Sequence, residues 1–321
     1  MKRKNRFIVI ELTISLILLI VSSCSMHDES LTNINQIPND NYLGQTPPGT
    51  TPKIFSQNII SIDNGKEYNI TFSPDLNQIV FTRRTPNGEN DRLWYSYLEE
   101  EILTIPQRIQ FGFDCFETDA CFTPEGKRIY FNSKRPIPGT ISLSPIPNVW
   151  FVDKTNNGWS EPTFLGSPLN DYHPVYYSFT SDSTMYFGTL FPREIYSVKM
   201  QNGNFTNIVC LPDAINSLRD VAHPAIAPDE SYIIIDSYYE ENNQIVGSMF
   251  ISFKKDDGSW SQAISLKDAL GASDTDIYAM ASVTPDGKYI FFEKYYPTSD
   301  KSDLYWISAT IIEDLKPIDK K

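Results

Sequence analysis

The stretch VTPDGKYIFFEKYY, residues 283–296, joins a turn signal to a dense apolar and aromatic run. Proline sets φ for the first turn position, aspartate can bond its own backbone, and glycine accepts a left-handed conformation. The Tyr-Ile-Phe-Phe run that follows is rich in strand formers, so the stretch predicts the turn and second strand of a β-hairpin. The same phrase recurs upstream as ITFSPDLNQIVFTRR (70–84), ACFTPEGKRIYFNSKR (120–135), YSFTSDSTMYFGTL (177–190) and AIAPDESYIIIDSYY (225–239). Its central acids, Asp75, Glu125, Asp182, Asp229 and Asp286, are spaced 50, 57, 47 and 57 residues apart. Spacing of this kind marks one supersecondary unit written five times. The copies differ in detail: only Gly126 and Gly287 supply a permissive turn residue, and the third copy has Ser181 in place of proline.

After each hairpin comes a third strand: RLWYSYL, NVWFVDK, EIYSVKM, SMFISFK and DLYWISA. Copies two to four continue through a turn into a fourth, NNGWSEPTFLG, QNGNFTNIVCL and DDGSWSQAISL, while copy one has the less regular EEEILTIPQRIQFG and copy five stops short. The missing strand is expected from the other end of the chain, where KIFSQNIIS (53–61) has the right pattern. Four antiparallel strands per unit, with first and last units sharing a strand, predict an all-β fold: a single β-propeller of five four-stranded blades closed by an N-terminal strand. A β-sandwich does not account for the fixed order of hairpin, aromatic strand and Gly-Trp turn.

PDGKYIFF, PEGKRIYF and GWSEPTFLGSPLN resemble the WD40-like propeller repeats of TolB-type periplasmic proteins and related envelope lipoproteins, and GQTPPGTTPKIFSQNIIS resembles the segment that opens such lipoproteins. The resemblance covers about residues 44–311. It implies a rigid disc that binds proteins, peptides or glycans at one face, and such repeats serve chiefly as scaffolds.

The N-terminus reads MKRKNRFIVIELTISLILLIVSSCS, with a basic start, an apolar core from Phe7 to Val21 interrupted by Glu11, and small residues before Cys24. This is the pattern of an export signal, too short and too interrupted for a spanning helix. VSSC resembles the lipobox of bacterial lipoproteins, which implies cleavage before Cys24 and lipid on its sulfur; an ordinary signal peptide or an uncleaved anchor are the alternatives. The expected organisation is a signal peptide over 1–23, a lipidated Pro/Gly-rich tether over 24–51, the propeller over 52–312 and a tail over 313–321. The expected location is the cell envelope, with membrane contact through the lipid alone.

The chain carries a net charge of −13. Loss of residues 1–23 removes four basic side chains and one acidic, giving −13 − 3 = −16, a surface that repels phosphate backbones and argues against a nucleic-acid partner. Beyond Cys24 three cysteines remain; Cys115 and Cys121 can form a disulfide or serve as small buried hydrophobes, and both readings stand. No Cys/His cluster suggests a metal, and no cofactor motif is present.

In a propeller of this strand order, the loops leading into each first strand and those between second and third strands gather on one face. The residues expected there are Glu67, Asp119, Asp171, His173, Asp220, His223 and Asp276 from the lead-in loops, with Arg84, Arg135, Arg193 and Tyr239 from the others. Carboxylates, imidazoles, cations and an aromatic together suit a sugar, a peptide end or a cation; each acid also makes a good turn former paired with a nearby Arg or Lys. No GxSxG or HExxH motif occurs, so no residue is assigned a catalytic role. The expected function is a non-enzymatic binding scaffold for an envelope protein, peptide or glycan. The enzymatic alternative is a five-bladed glycoside hydrolase with paired carboxylates at the channel mouth.

Overall fold

Each copy of the repeated phrase puts three consecutive large apolar residues on its second strand: Ile79-Val80-Phe81, Ile129-Tyr130-Phe131, Met185-Tyr186-Phe187, Ile233-Ile234-Ile235 and Ile290-Phe291-Phe292. All fifteen are at most 2% exposed. A strand with one wet face alternates; one buried on both faces does not. The computed structural model, which describes residues 41–84, 90–201, 204–242 and 244–317, shows why both faces are covered. The export signal, Cys24, the tether up to Asp40 and residues 318–321 lie outside the described residues.

Strand β1 is Lys53–Ile54. The first repeat supplies β2 (Lys66–Phe72), β3 (Gln78–Arg84), β4 (Arg92–Glu99), β5 (Ile102–Leu103) and β6 (Gln107–Arg108). The second supplies β7 (Glu117–Phe122), β8 (Arg128–Ser133), β9 (Asn148–Thr155), β10 (Gly158–Trp159) and β11 (Thr163–Phe164), and the third β12 (Pro174–Phe179), β13 (Thr184–Thr189), β14 (Ile195–Gln201) and β15 (Asn204–Cys210). The fourth gives β16 (Val221–Ile226), β17 (Tyr232–Glu241), β18 (Gln244–Phe253) and β19 (Ile264–Ser265), and the last β20 (Ile277–Val283), β21 (Tyr289–Tyr296) and β22 (Lys301–Ser308).

These strands form four antiparallel sheets, of which the largest joins the last repeat to the first through a single parallel bridge, Lys66 to Ser302. β1 pairs antiparallel with β22, Lys53 opposite Trp306 and Ile54 opposite Tyr305. The first strand of each repeat touches the next: β2 lies against β7, β7 against β12, β12 against β16, β16 against β20, and β20 against β2. Five apolar clusters fill the junctions between consecutive repeats; the one between last and first contains Phe55, Ile60, Phe72, Phe81, Phe291 and Trp306. The molecule is mostly β and β-propeller-like.

Several expectations are corrected. Only two residues of KIFSQNIIS are strand, because Ser56 and Asn58 take positive φ and break the pleat. The irregular fourth segment of copy one is two short strands, β5 and β6, both paired with β4. The tether was expected to run to Thr51, yet Leu43 is buried in the last-to-first junction, and Tyr42 packs against Tyr289 and bonds Asp286 at 2.9 Å. Similarly, a 3-10 turn over Ala309–Leu315 buries Ile311 and Ile312, so ordered structure passes the expected boundary at 312. Cys115 and Cys121 are buried free thiols, as is appropriate to small hydrophobes.

The turns explain the repeat's imperfections. Where glycine is absent, Leu76, Ser183 and Glu230 take the left-handed position that Gly126 and Gly287 take elsewhere. Ser181 replaces proline because its N–H bonds the Pro228 carbonyl at 2.7 Å, a donor that proline lacks. A methyl on Gly287 would meet nothing, whereas one on Gly126 would stand 2.9 Å from the Pro74 ring of the neighbouring repeat. Gly287→Ala is therefore expected to cost about 1–2 kcal/mol of left-handed strain, and Gly126→Ala distinctly more; urea denaturation of the two variants checks the difference.

Candidate functional site

Every first strand carries a β-bulge at the same place. The pairing register slips at Asn69, Asp119–Ala120, Tyr176, His223–Pro224 and Met280–Ala281, and Asn69, Asp119, Tyr176, His223 and Met280 all have φ between 48° and 56°. Each stands six positions before the central acid of its turn (75 − 69, 125 − 119, 182 − 176, 229 − 223, 286 − 280). Left-handed φ is uncommon for such residues, and bulges of this kind re-aim side chains. Here they give an amide, a carboxylate, a phenol, an imidazole and a thioether from five adjacent strands.

The residue before each bulge lies opposite a second-strand residue: Thr82, Asn132, Gly188, Asp236 and Glu293 in turn. Two of the polar ones, Asn132 and Asp236, tie neighbouring repeats together. Asp236 accepts from His223 Nδ1 at 2.9 Å and from the Met280 amide at 2.7 Å. Asn132 donates to Asp119 at 3.3 Å and to the Pro174 carbonyl at 3.0 Å, and accepts from the Tyr177 hydroxyl. Tyr176 packs edge-on against His223, ring centres 5.3 Å apart, and its hydroxyl donates to the Ala281 carbonyl two repeats away.

Burial governs the titration of this layer. It pushes Asp119 up to about 6, against the pull of His223 and the Tyr176 amide, and Glu293 up to about 7, against the Ser302 hydroxyl and Lys66. Burial would lower His223, but the Asp236 carboxylate more than offsets it and holds the imidazole above its ordinary value.

Glu67, Asp119, His223, Arg84 and Tyr239, expected in loops, all lie on strands. Glu67 is fully buried and bonds Arg83 at 2.8 Å; burial raises its carboxyl despite that partner. Arg83 also donates to the Ile59 and Ile60 carbonyls and stacks on Trp94. Arg135 repeats the device in the second repeat with Glu117 and Trp150. Arg84 makes a two-pronged pair with Asp91 at 2.8 Å, and Asp276 bonds Lys294 at 2.6 Å, which lowers its pKa. For these residues the paired alternative is the one observed.

On the rim, Asp171 is exposed and accepts from Ser167 at 2.7 Å. His173 is half-buried, with Nδ1 unpartnered. Asp220 is exposed with its carboxylate 3.8 Å from Arg219, whose guanidinium covers the half-buried Tyr239 at 4.0 Å. Arg193 is exposed, and its charge reaches His223. The eleven expected residues thus divide into local pairs, a rim group, and the inner pair Asp119 and His223. Sequence reasoning missed Asn69, Tyr176, Met280, Asp236 and Glu293; the constant six-residue offset from the turn acid was the signal that could have found the first three.

The bulge layer is adjoined by a cavity of about 260 Å³ to which all five first strands contribute. Tyr176 and Asn69 line it on one side, and Pro74, Pro124, Ser181, Pro228 and Pro285 of the hairpin turns line it on the other. This is the end opposite the expected binding face. Among the described residues no group of three His, Cys, Asp or Glu side chains is placed to hold a metal, and no helix is long and apolar enough to cross a membrane.

No family model matches the chain, and no curated protein matches it. Solved structures give distant likenesses to proteins built on β-propellers. A GH62 α-L-arabinofuranosidase catalytic domain from Coprinopsis cinerea is 10% identical, with 81% of this chain and 98% of that one covered at a TM-score of 0.47. A gluconolactonase from Xanthomonas campestris is 10% identical over 77% and 87% at 0.44. Hydrazine synthase from Kuenenia stuttgartiensis is 16% identical over 73% and 75% at 0.39. Likeness at this level transfers neither activity nor ligand.

Proposed function

We propose that the chain is a five-bladed propeller closed by the β1–β22 ladder, exported and held at the cell envelope by lipid on Cys24, and that it serves as a scaffold binding an envelope protein, peptide or glycan without transforming it. The observation that carries the binding role is the rim: Asp171, Asp220 and Arg193 are exposed and His173 is half-buried. The bulges, where Asn69, Asp119 and Tyr176 are buried, are the fixed frame that positions these loops for recognition. The rim residues Asp171, His173, Asp220 and Arg193 would meet a macromolecular partner beside His223. The glycosidase alternative needs a carboxylate pair free to act on a glycosidic bond. Of the inner carboxylates, Asp236 is engaged by His223 and the Met280 amide, Asp119 by Asn132 and Glu293 by the Ser302 hydroxyl.

Two measurements test this. Cys24→Ser is expected to move the protein into the soluble fraction or block its processing, and unchanged membrane fractionation defeats the anchoring. Capture from solubilised envelopes by the full chain is expected to retain a partner that Asp171→Asn, His173→Ala and Asp220→Asn together weaken. Turnover of a glycan or peptide, lost in Asp171→Asn or Asp220→Asn with folding intact, would replace the scaffold reading with an enzymatic one.

A further inference from the structure

The cavity among the hairpin turns differs chemically from the rest of the molecule. Asp, Glu, Lys and Arg make up 21% of the chain, yet none of the residues lining this cavity is one of these or a histidine. A charged ligand there would lose its hydration with no opposite charge to meet it. The lining is nevertheless polar. Two residues beyond the bulge, Thr71, Ser178 and Ser282 line it from the first, third and fifth repeats.

In the first and third repeats that hydroxyl accepts a backbone N–H from the next repeat: Phe122 to Thr71 at 3.3 Å, and Ile226 to Ser178 at 3.1 Å. The corresponding bond from the fifth repeat to the first is not made, and Ser282 Oγ is buried without a partner. Asn69, 2% exposed and lining the same cavity, has its Oδ1 buried without a partner as well. Unpaired buried groups of this kind are costly and call for an explanation.

We propose that this cavity binds a neutral polyhydroxylated ring, one sugar or cyclitol unit in size, admitted between the Pro-Asp turns. The volume suits it, since a dry cavity of roughly 150 Å³ accepts benzene and this one is about 260 Å³. The distribution of polar groups suits it too. Asn69 and Thr71, Ser178, and Ser282 approach from three different strands around the cavity. Ser178 gives its proton to the Pro224 carbonyl at 2.7 Å and offers a ligand only an acceptor, while Asn69 Oδ1 and Ser282 Oγ are without partners. This spread matches a ligand with hydroxyls around its edge better than a side chain with one polar tip. Tyr176, tied across to Ala281, lines the cavity on the bulge side and contributes aromatic surface there. This site rests on the propeller-like arrangement and not on the rim, so either can fail without the other.

The test is saturation-transfer NMR on the full chain. The probes are glucose, N-acetylglucosamine and myo-inositol, with glucuronate and glucosamine as charged counterparts and trialanine amide, acetylated at its N-terminus, as a neutral peptide. At least one neutral ring is expected to take up saturation, with the charged sugars at least about tenfold weaker. Ser282→Ala, which removes only the hydroxyl, is expected to weaken binding about 3- to 10-fold, the worth of one neutral hydrogen bond, and Ser282→Leu, which fills the space, to abolish it. Asn69→Leu gives a second reading if it folds. Transfer to none of the neutral rings, equal binding of charged sugars, preference for the peptide, or undiminished binding by a folded Ser282→Leu protein overturns the assignment.

Discussion

Phe55→Ala is expected to destabilise the protein by about 3–5 kcal/mol, the range for deleting a fully buried phenylalanine. Phe55 is wholly buried, edge-on to Phe291 at 4.9 Å and to Trp306 at 5.4 Å, and its amide bonds the Leu304 carbonyl at 2.7 Å. It belongs by sequence to the segment before the first repeat and by packing to the last. Deleting residues 51–61 is expected to do more: it removes Phe55 and Ile60 from the core, strips β1 from β22, and takes away the carbonyls of Ile59 and Ile60 that Arg83 donates to. Urea unfolding measures the first variant, and limited proteolysis near Trp306 the second. Unchanged stability and protection in the deletion would mean that the last repeat is complete without β1.

Stability is expected to fall as pH rises from about 4 to 8. Asp119 and Glu293 titrate near 6 and 7 in the folded protein, well above their ordinary range. A carboxyl raised on folding binds more protons in the native state over the interval between the two pKa values, so stability is lost as pH climbs through that interval and stays lost above it. His223, also raised, acts in the same direction: its contribution is full below about 6.5 and disappears as pH passes its folded pKa. At 1.36 kcal/mol per unit, each carboxyl accounts for a few kcal/mol, on the order of 3, and the three are neighbours whose contributions will not simply add. Asp119→Asn and Glu293→Gln are expected to flatten the urea midpoint's pH profile. A parallel profile in both variants would locate the dependence elsewhere. His223→Ala is expected to cost about 3–5 kcal/mol by leaving the buried Asp236 carboxylate without its imidazole partner.

Much of the architecture could be read directly because the physical demands that produce it are local. A Pro-Asp turn and a strand with both faces buried write themselves into neighbouring residues, and the shortage of a strand after copy five pointed to residues 53–61. The candidate site was less legible, for an opposite reason. Left-handed backbone at Asn69, Asp119, Tyr176, His223 and Met280 follows from the bulge and not from any shared chemistry, so the five residues have nothing in common except their distance from the turn. Charges were visible, but not which charge faced which: Glu67 and Arg135 looked like binding groups, and both are internal braces. The cavity left still less trace, since small hydroxyls and proline rings line it and no motif specifies them.

The ladder between β1 and β22 also sets an order of events. Lys53 and Trp306 are 306 − 53 = 253 residues apart, so the strand that meets the last repeat is among the first pieces of the folded unit to be synthesised and must wait for nearly all the rest. Bringing such distant segments together is entropically costly and slow compared with forming the hairpins, each of which closes over a few residues. Until it happens, the outer edge of β22 is open to pairing with another chain. The interval between completion of the C-terminus and arrival of residues 53–54 is when misassembly between chains competes, and a chaperone that covers a bare strand edge would matter most there.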